Sequence, residues 1–255
     1  MYHNQERKAN RKLGVIFMLI LRYITFVVLT LLLTAWIGYN TYATARLLRT
    51  WRPPSNPLLH PLETIVRLAL IAGCIGLGWL SGLNPSVLGW TAADPWAQVV
   101  LGALSGTALG AIFLFTTRWV VKRTGERYYS PLVLDLIVPK DRREFLLTTL
   151  AMVTVVLLEE LLFRSLLVGG MTPLLPVSVL VLGISVLFGL LHSPQGTWGM
   201  TGAALAGIIL GALFLLAGSL LLPCVAHYTA NMIQVTVAYR ERIGLGAGPM
   251  PEHRV

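Results

Sequence analysis

Long apolar stretches, broken by short polar, proline-rich or basic segments, run through the whole chain. A membrane-spanning helix needs about 20 mostly apolar residues. Seven stretches reach roughly that length: about Leu13–Tyr39, Leu68–Trp90, Gln98–Val121, Phe145–Val168, Leu174–His192, Trp198–Ala217 and Leu220–Tyr239. The connections between them differ in character. Residues 40–64 hold Arg46, Arg49 and Arg52 with four prolines, and residues 118–144 hold seven Lys and Arg, which places the latter loop on the cytoplasmic side. Residues 84–97 carry only Asp94 as charge and are flanked by Trp90 and Trp96, expected at the opposite interface. Beyond residue 168 the connections are short and nearly uncharged, so the last four segments are expected to pack as antiparallel neighbours. A spanning first helix separates the basic N-terminal tail from the basic 40–64 connection and holds Arg22 inside it, so the charge bias leaves the orientation of that helix open.

Composition supports the membrane reading. Hydrophobic residues make up 55% of the 255 and charged residues 12%, against about 25% charge in soluble domains. The expectation is an all-α, polytopic membrane helix bundle of about seven to eight transmembrane helices, forming one membrane domain over residues 1–255 in a lipid bilayer. The net charge of +9 sits in blocks between apolar segments, a positive-inside pattern; no basic helix face or aromatic-basic module points to nucleic acid. Cys74 and Cys224 lie in apolar stretches and read as packing residues. The first apolar run is too long for a signal-peptide core of about 7–15 residues, so it is expected to be an uncleaved helix. The terminal His253-Arg254-Val255 forms no lipidation box.

An ionisable group near the bilayer centre costs about 2.5–3.5 kcal/mol on insertion scales. Six polar or charged residues nevertheless fall inside the C-terminal apolar segments: Glu159, Glu160, Arg164, His192, His227 and Asn231. They are expected to face the bundle interior and each other. Glu160 and Arg164 are four apart, share a helix face and can form an ion pair. Glu159 points about 100° away and is less committed to Arg164, which makes it the better general base. Phe188 and His192 are four apart, so the ring can pack beside the imidazole. His227 and Asn231 share a face and present two hydrogen-bond donors, as an oxyanion site requires.

These motifs, Glu159-Glu160 with Arg164, Phe188 with His192, and His227 with Asn231, resemble in their order the CAAX prenyl protease and bacteriocin-processing family, the intramembrane glutamic endopeptidases. The resemblance covers about residues 143–239. It implies that Glu159 and His192 activate a water for attack on a peptide carbonyl, that His227 and Asn231 stabilise the oxyanion, and that Glu160, Arg164 and Phe188 support the site. It also implies a metal-independent reaction without cofactor, on a membrane-associated or lipid-modified, including prenylated CAAX-type, substrate. The stretches at 192–196 and 218–223 look like those of bacterial members and imply a prokaryotic cell membrane.

Zinc is the competing chemistry, since two histidines and two glutamates supply ligands, but no HExxH motif occurs and Glu160 is engaged by Arg164. Ser165 and Ser193 lack an evident base, so no acyl-enzyme is expected. Competing functions are a catalytically silent membrane scaffold or partner subunit of the same family, and a proton-coupled transporter, against which the absence of an internal repeat argues. One geometric difficulty is visible in advance: in straight antiparallel helices Glu159 and His192 lie at different depths, and tilt, a break near Gly169-Gly170 or offset spans must bring them together.

Overall fold

A computed structural model describes residues 2–48 and 50–244; Arg49 of the basic connection and His253-Arg254-Val255 lie outside the described residues. Among those described the chain is helical, without a strand. In order come α1 (Tyr2–Leu47), α2 (Pro61–Ser81), α3 (Pro95–Thr124), the short α4 (Leu132–Ile137) and α5 (Arg142–Glu160), which runs straight into a π-helical segment, Leu161–Gly169. Then follow α6 (Val177–Leu191), α7 (Gly196–Ala217) and α8 (Leu221–Gly244). Among the described residues five stretches are long and apolar enough to cross a membrane: Lys12–Leu47, Pro61–Ser81, Pro95–Arg127, Arg142–Gly169 and Ser193–Ala217. α6 is apolar but has only 15 residues, about 22 Å at 1.5 Å per residue. α8 is long enough, but His227, Asn231 and Gln234 interrupt its apolar face.

Local chemistry sets the boundaries. α2 starts seven residues earlier than its hydropathy indicates because Pro61 supplies a first-turn residue. It stops at Gly82, whose φ of 71° ends the helix in the left-handed region. The Asp94 side chain accepts from the Ala97 N–H at 3.1 Å to cap α3, and Asp141 caps α5 by accepting from Glu144 N–H at 2.8 Å. The Glu144 carboxylate reaches back to the Lys140 N–H, closing a box around that helix start.

α1 is one continuous helix, so the two basic segments sit at its opposite ends. Arg22, the charge inside it, is not stranded in lipid: its guanidinium donates to the carbonyls of Trp79 and Leu80, at the negative C-terminal end of α2. Trp90 differs from the interfacial anchor expected of it. Its indole N–H donates to Ser165 Oγ at 2.9 Å, and the 82–94 connection folds onto the bundle with Leu88 buried and the Gly89 carbonyl accepting from Leu220 N–H. Trp96, in contrast, is exposed.

The bundle is organised around the strand of helix from Glu160 to Met171, in which every residue is buried. A segment apolar all round, as 161–169 is apart from Arg164 and Ser165, belongs in the middle of a bundle. Glycine seams bring the neighbouring backbones close. Gly102, Gly106 and Gly110 of α3 form a stripe against Leu222, Ala226 and Ala230 of α8, and Gly207 and Gly211 of α7 lie against Ser185 and Val181 of α6. α8 thus pairs most closely with α3, an element of the N-terminal half, rather than with α7 as the short connections suggested.

A side chain at Gly106 has no room. Its Cβ would meet the Ala226 carbonyl and lie 2.7 Å from Thr229 Cβ. Gly106→Ala is therefore expected to destabilise the bundle by about 1–3 kcal/mol. Gly73→Ala, on an open face of α2, is expected to leave stability unchanged. Thermal unfolding in detergent compares the two, and equal melting temperatures would contradict the close α3–α8 approach.

Candidate active site

The site forms where α5 passes into the π-helical segment. At its far end that segment closes with the Gly170 N–H bonded to the Ser165 carbonyl at 2.8 Å, five residues back. Such widened turns are rare and concentrate at functional sites. Glu159 and Glu160 occupy the last α-helical turn, and Arg164 follows one turn later.

Glu160 is fully buried, and its Oε1 accepts from Arg164 at 3.0 Å and from His227 Nδ1 at 2.8 Å. The Arg164 guanidinium also donates to the Gly207 carbonyl of α7 at 3.4 Å and lies over the Phe188 ring, 4.8 Å from its centroid. One guanidinium thus ties α5, α6 and α7 together, and Glu160 adds α8. The ring of Phe188 stands between the two imidazoles, with centroids 4.5 Å from His192 and 6.0 Å from His227. Phe163 meets it edge-on at 5.0 Å.

The second glutamate is placed differently. Glu159 is about a quarter exposed, and its Oε2 lies 3.5 Å from His227 Nε2. His227 therefore bridges the two carboxylates, one buried and one facing open space. His192 caps the C-terminal end of α6, and its Nδ1 sits 2.7 Å from the Phe188 carbonyl. A carbonyl only accepts, so Nδ1 carries the proton and Nε2 is left with its lone pair.

Glu159, His192, His227 and Asn231 all line one cavity of about 270 Å³, with Phe188 in its wall. The depth mismatch that straight helices imply is absent. The helix carrying Glu159 ends at Gly169, and α6 begins only at Val177, which shortens the path to His192. Glu159 and His192 share the cavity but form no ion pair with each other; the ionic partner of Glu159 is His227. Asn231 Nδ2 contacts Met152 Sδ at 3.7 Å, leaving the amide without a strong competing partner. Among the described residues no group of three His, Cys, Asp or Glu side chains is arranged to hold a metal ion. Cys74 and Cys224 are free thiols set among packed apolar side chains.

Residues 141–233 match the family model of the type II CAAX prenyl endopeptidases, Rce1-like. The match runs from the cap of α5 into α8 and takes in all three motifs, so the resemblance they carry has independent support over that stretch. No curated protein and no solved structure matches the chain. The matched segment lies in a helical chain that has, among its described residues, five stretches long and apolar enough to cross a membrane.

Outside the motifs, the cavity recruits residues that motif reading passed over. Gln195 and Gln234 line it, as does Tyr129. Burial and the nearby Asp135 push the Tyr129 phenol up, keeping it a neutral donor. A buried knot holds the wall: Arg67 donates to the Leu58 carbonyl at 2.7 Å and Asn56 to the Ile137 carbonyl at 3.0 Å, and Leu58 and Ile137 both face the cavity. Arg67 shares α2 with Glu63 and sits one residue before the apolar stretch that begins at Leu68, so the criterion that singles out Glu160 passes it over.

Removing Arg164 leaves Glu160 buried with only His227 as partner. Arg164→Met is expected to cost about 3–5 kcal/mol in stability, while the pair replacement Glu160→Gln with Arg164→Met costs clearly less. Denaturant unfolding in mixed micelles measures both. A fully additive double variant would contradict the pairing.

Proposed function

We propose that the protein is an intramembrane glutamic endopeptidase that hydrolyses a peptide bond of a membrane-associated substrate, including prenylated CAAX-type chains. The observation that carries this reading is the convergence on one cavity of Glu159, His192, His227 and Asn231, all four inside the Rce1-like segment. In the proposed reaction a water lies between the Glu159 carboxylate and the free Nε2 of His192. Glu159 takes the proton as the water oxygen bonds to the carbonyl carbon. The carbonyl oxygen becomes an oxyanion, held by the Asn231 amide N–H and by the Nε2–H of His227 in its doubly protonated form, since Nδ1 already donates to Glu160. The proton then passes to the departing nitrogen, the C–N bond breaks, and a carboxylic acid and an amine result. Glu160, Arg164 and Phe188 orient His227 and His192, as a third group orients the base in other hydrolytic sites. No metal or cofactor enters this scheme.

The chain is proposed to form one membrane domain in which seven helices cross: α1, α2, α3, α5 with its π-helical extension, α6, α7 and α8. α4 lies at the basic end. The prokaryotic cell membrane rests on the bacterial-looking stretches alone.

Purified protein in liposomes, given a quenched prenylated CAAX peptide and a pool of membrane-proteome peptides, is expected to cleave with or without chelator. Glu159→Ala and His192→Ala are each expected to lose at least about a hundredfold in kcat. Cleavage lost on chelation and restored by zinc would replace this mechanism with metal catalysis. A well-folded wild type that cleaves nothing, under conditions where a known type II CAAX endopeptidase is active, would favour the silent scaffold.

A further inference from the structure

A second cavity, of about 310 Å³, is lined by Glu159 and His192 as well. It lies between α1, the end of α5 and α6, and its walls include Ile37 and Thr41 of α1, Leu158, Leu162 and Leu191. Five residues line both cavities: Val133, Glu159, Phe188, His192 and Gln195. The candidate catalytic pair is thus a partition common to both, with one cavity walled further by α1 and the other by α3, α7 and α8.

The two spaces differ in chemistry. Away from the shared partition, the main cavity offers His227, Asn231, Gln234 and Tyr129 as polar groups. Away from the partition the α1 cleft offers only Thr41, among aliphatic side chains, Phe163 and Pro194. The wall formed by α1 is thin. α1 meets α6 near Gly38, where a Cβ would lie 3.6 Å from Leu191 Cδ2, and most side chains of the helix between residues 35 and 47 are exposed or half-buried.

An enzyme that cuts within a chain must hold the chain on both sides of the scissile bond. Resting on the proteolytic reading above, we infer that the α1 cleft holds the membrane-anchored, apolar half of the substrate, and that the main cavity holds the half that is released. An anchored chain approaches from within the bilayer, and the cleft beside α1 opens on a helix with exposed apolar side chains. The scissile carbonyl then comes to rest at the partition, between Glu159 and His192. Gln195, which lines both cavities and lies three residues beyond His192, is placed to bond the substrate backbone as it crosses.

Gly38→Trp projects an indole toward Leu191 and into the cleft mouth. With a membrane-anchored peptide it is expected to raise KM about tenfold while kcat stays within about twofold. With a short soluble peptide spanning the same bond, both constants are expected to stay near wild type. Gly73→Trp, at an open position of α2, is the control for adding a tryptophan to a lipid-facing helix. A second readout needs no turnover. In a Glu159→Gln background, alkylation of Thr41→Cys is expected to slow about fivefold or more when the anchored peptide is present, reflecting occupancy of the cleft. Unchanged KM in Gly38→Trp together with unprotected Cys at position 41 would overturn the cleft while leaving proteolysis standing. Equal losses on both peptides would also overturn it, since they mark a structural effect. Protection without any cleavage by wild type would keep the cleft as a binding site and refute the proteolytic reading.

Discussion

A carboxylate and a guanidinium buried together in the middle of an apolar bundle, Glu160 with Arg164, set the terms for the rest of this protein. Neither group can reach water, and breaking a buried pair costs several kcal/mol. Each therefore has to find every partner it can. Arg164 takes the Gly207 carbonyl and the Phe188 face; Glu160 takes His227. Four helices are pinned to one another by this requirement, and the pinning fixes both imidazoles against Phe188. A pair that is a poor investment in stability by itself becomes useful because it holds His227 facing Glu159.

The backbone is shaped to the same end. The π-helical segment widens the helix directly after Glu160, and the glycine stripe of α3 lets the α8 backbone come close enough to bury Ala226, His227 and Ala230. On the other side, Gly207 gives α7 an unshielded carbonyl within reach of Arg164. Bulk at these positions would push apart the helices that carry the polar side chains. The small residues thus belong to the site without touching its cavity.

Much of the candidate site was legible because lipid makes polar residues conspicuous. Glu159, Glu160, Arg164, His192, His227 and Asn231 stood out against apolar surroundings, and helical spacing paired Glu160 with Arg164 and Phe188 with His192, contacts that the fold contains. Long-range facts were less legible. Nothing in local spacing shows that α8 pairs with α3, although the spacing of Gly102, Gly106 and Gly110 signals a close helix contact of some kind. Hydropathy misplaced α2 because Pro61 and Gly82, rather than apolarity, end that helix. Trp90 passed for an interfacial anchor because its partner, Ser165, is remote in sequence. Arg22 is a conflict on local sequence alone, because the α2 carbonyls that accept from it are remote in the chain. His227 was read as one of two donors, whereas its bridging of both carboxylates depends on how α8 sits against α5.

In the proposed mechanism Glu160 acts through His227. A double-mutant cycle on cleavage, with Glu160→Gln, His227→Ala and their combination, measures it most directly, each variant first checked for folding. If Glu160 serves chiefly to hold His227, the double variant should be about as slow as His227→Ala alone, a coupling on the order of 1–3 kcal/mol. Additive losses, with the double variant slowed by the product of the two single effects, would contradict it.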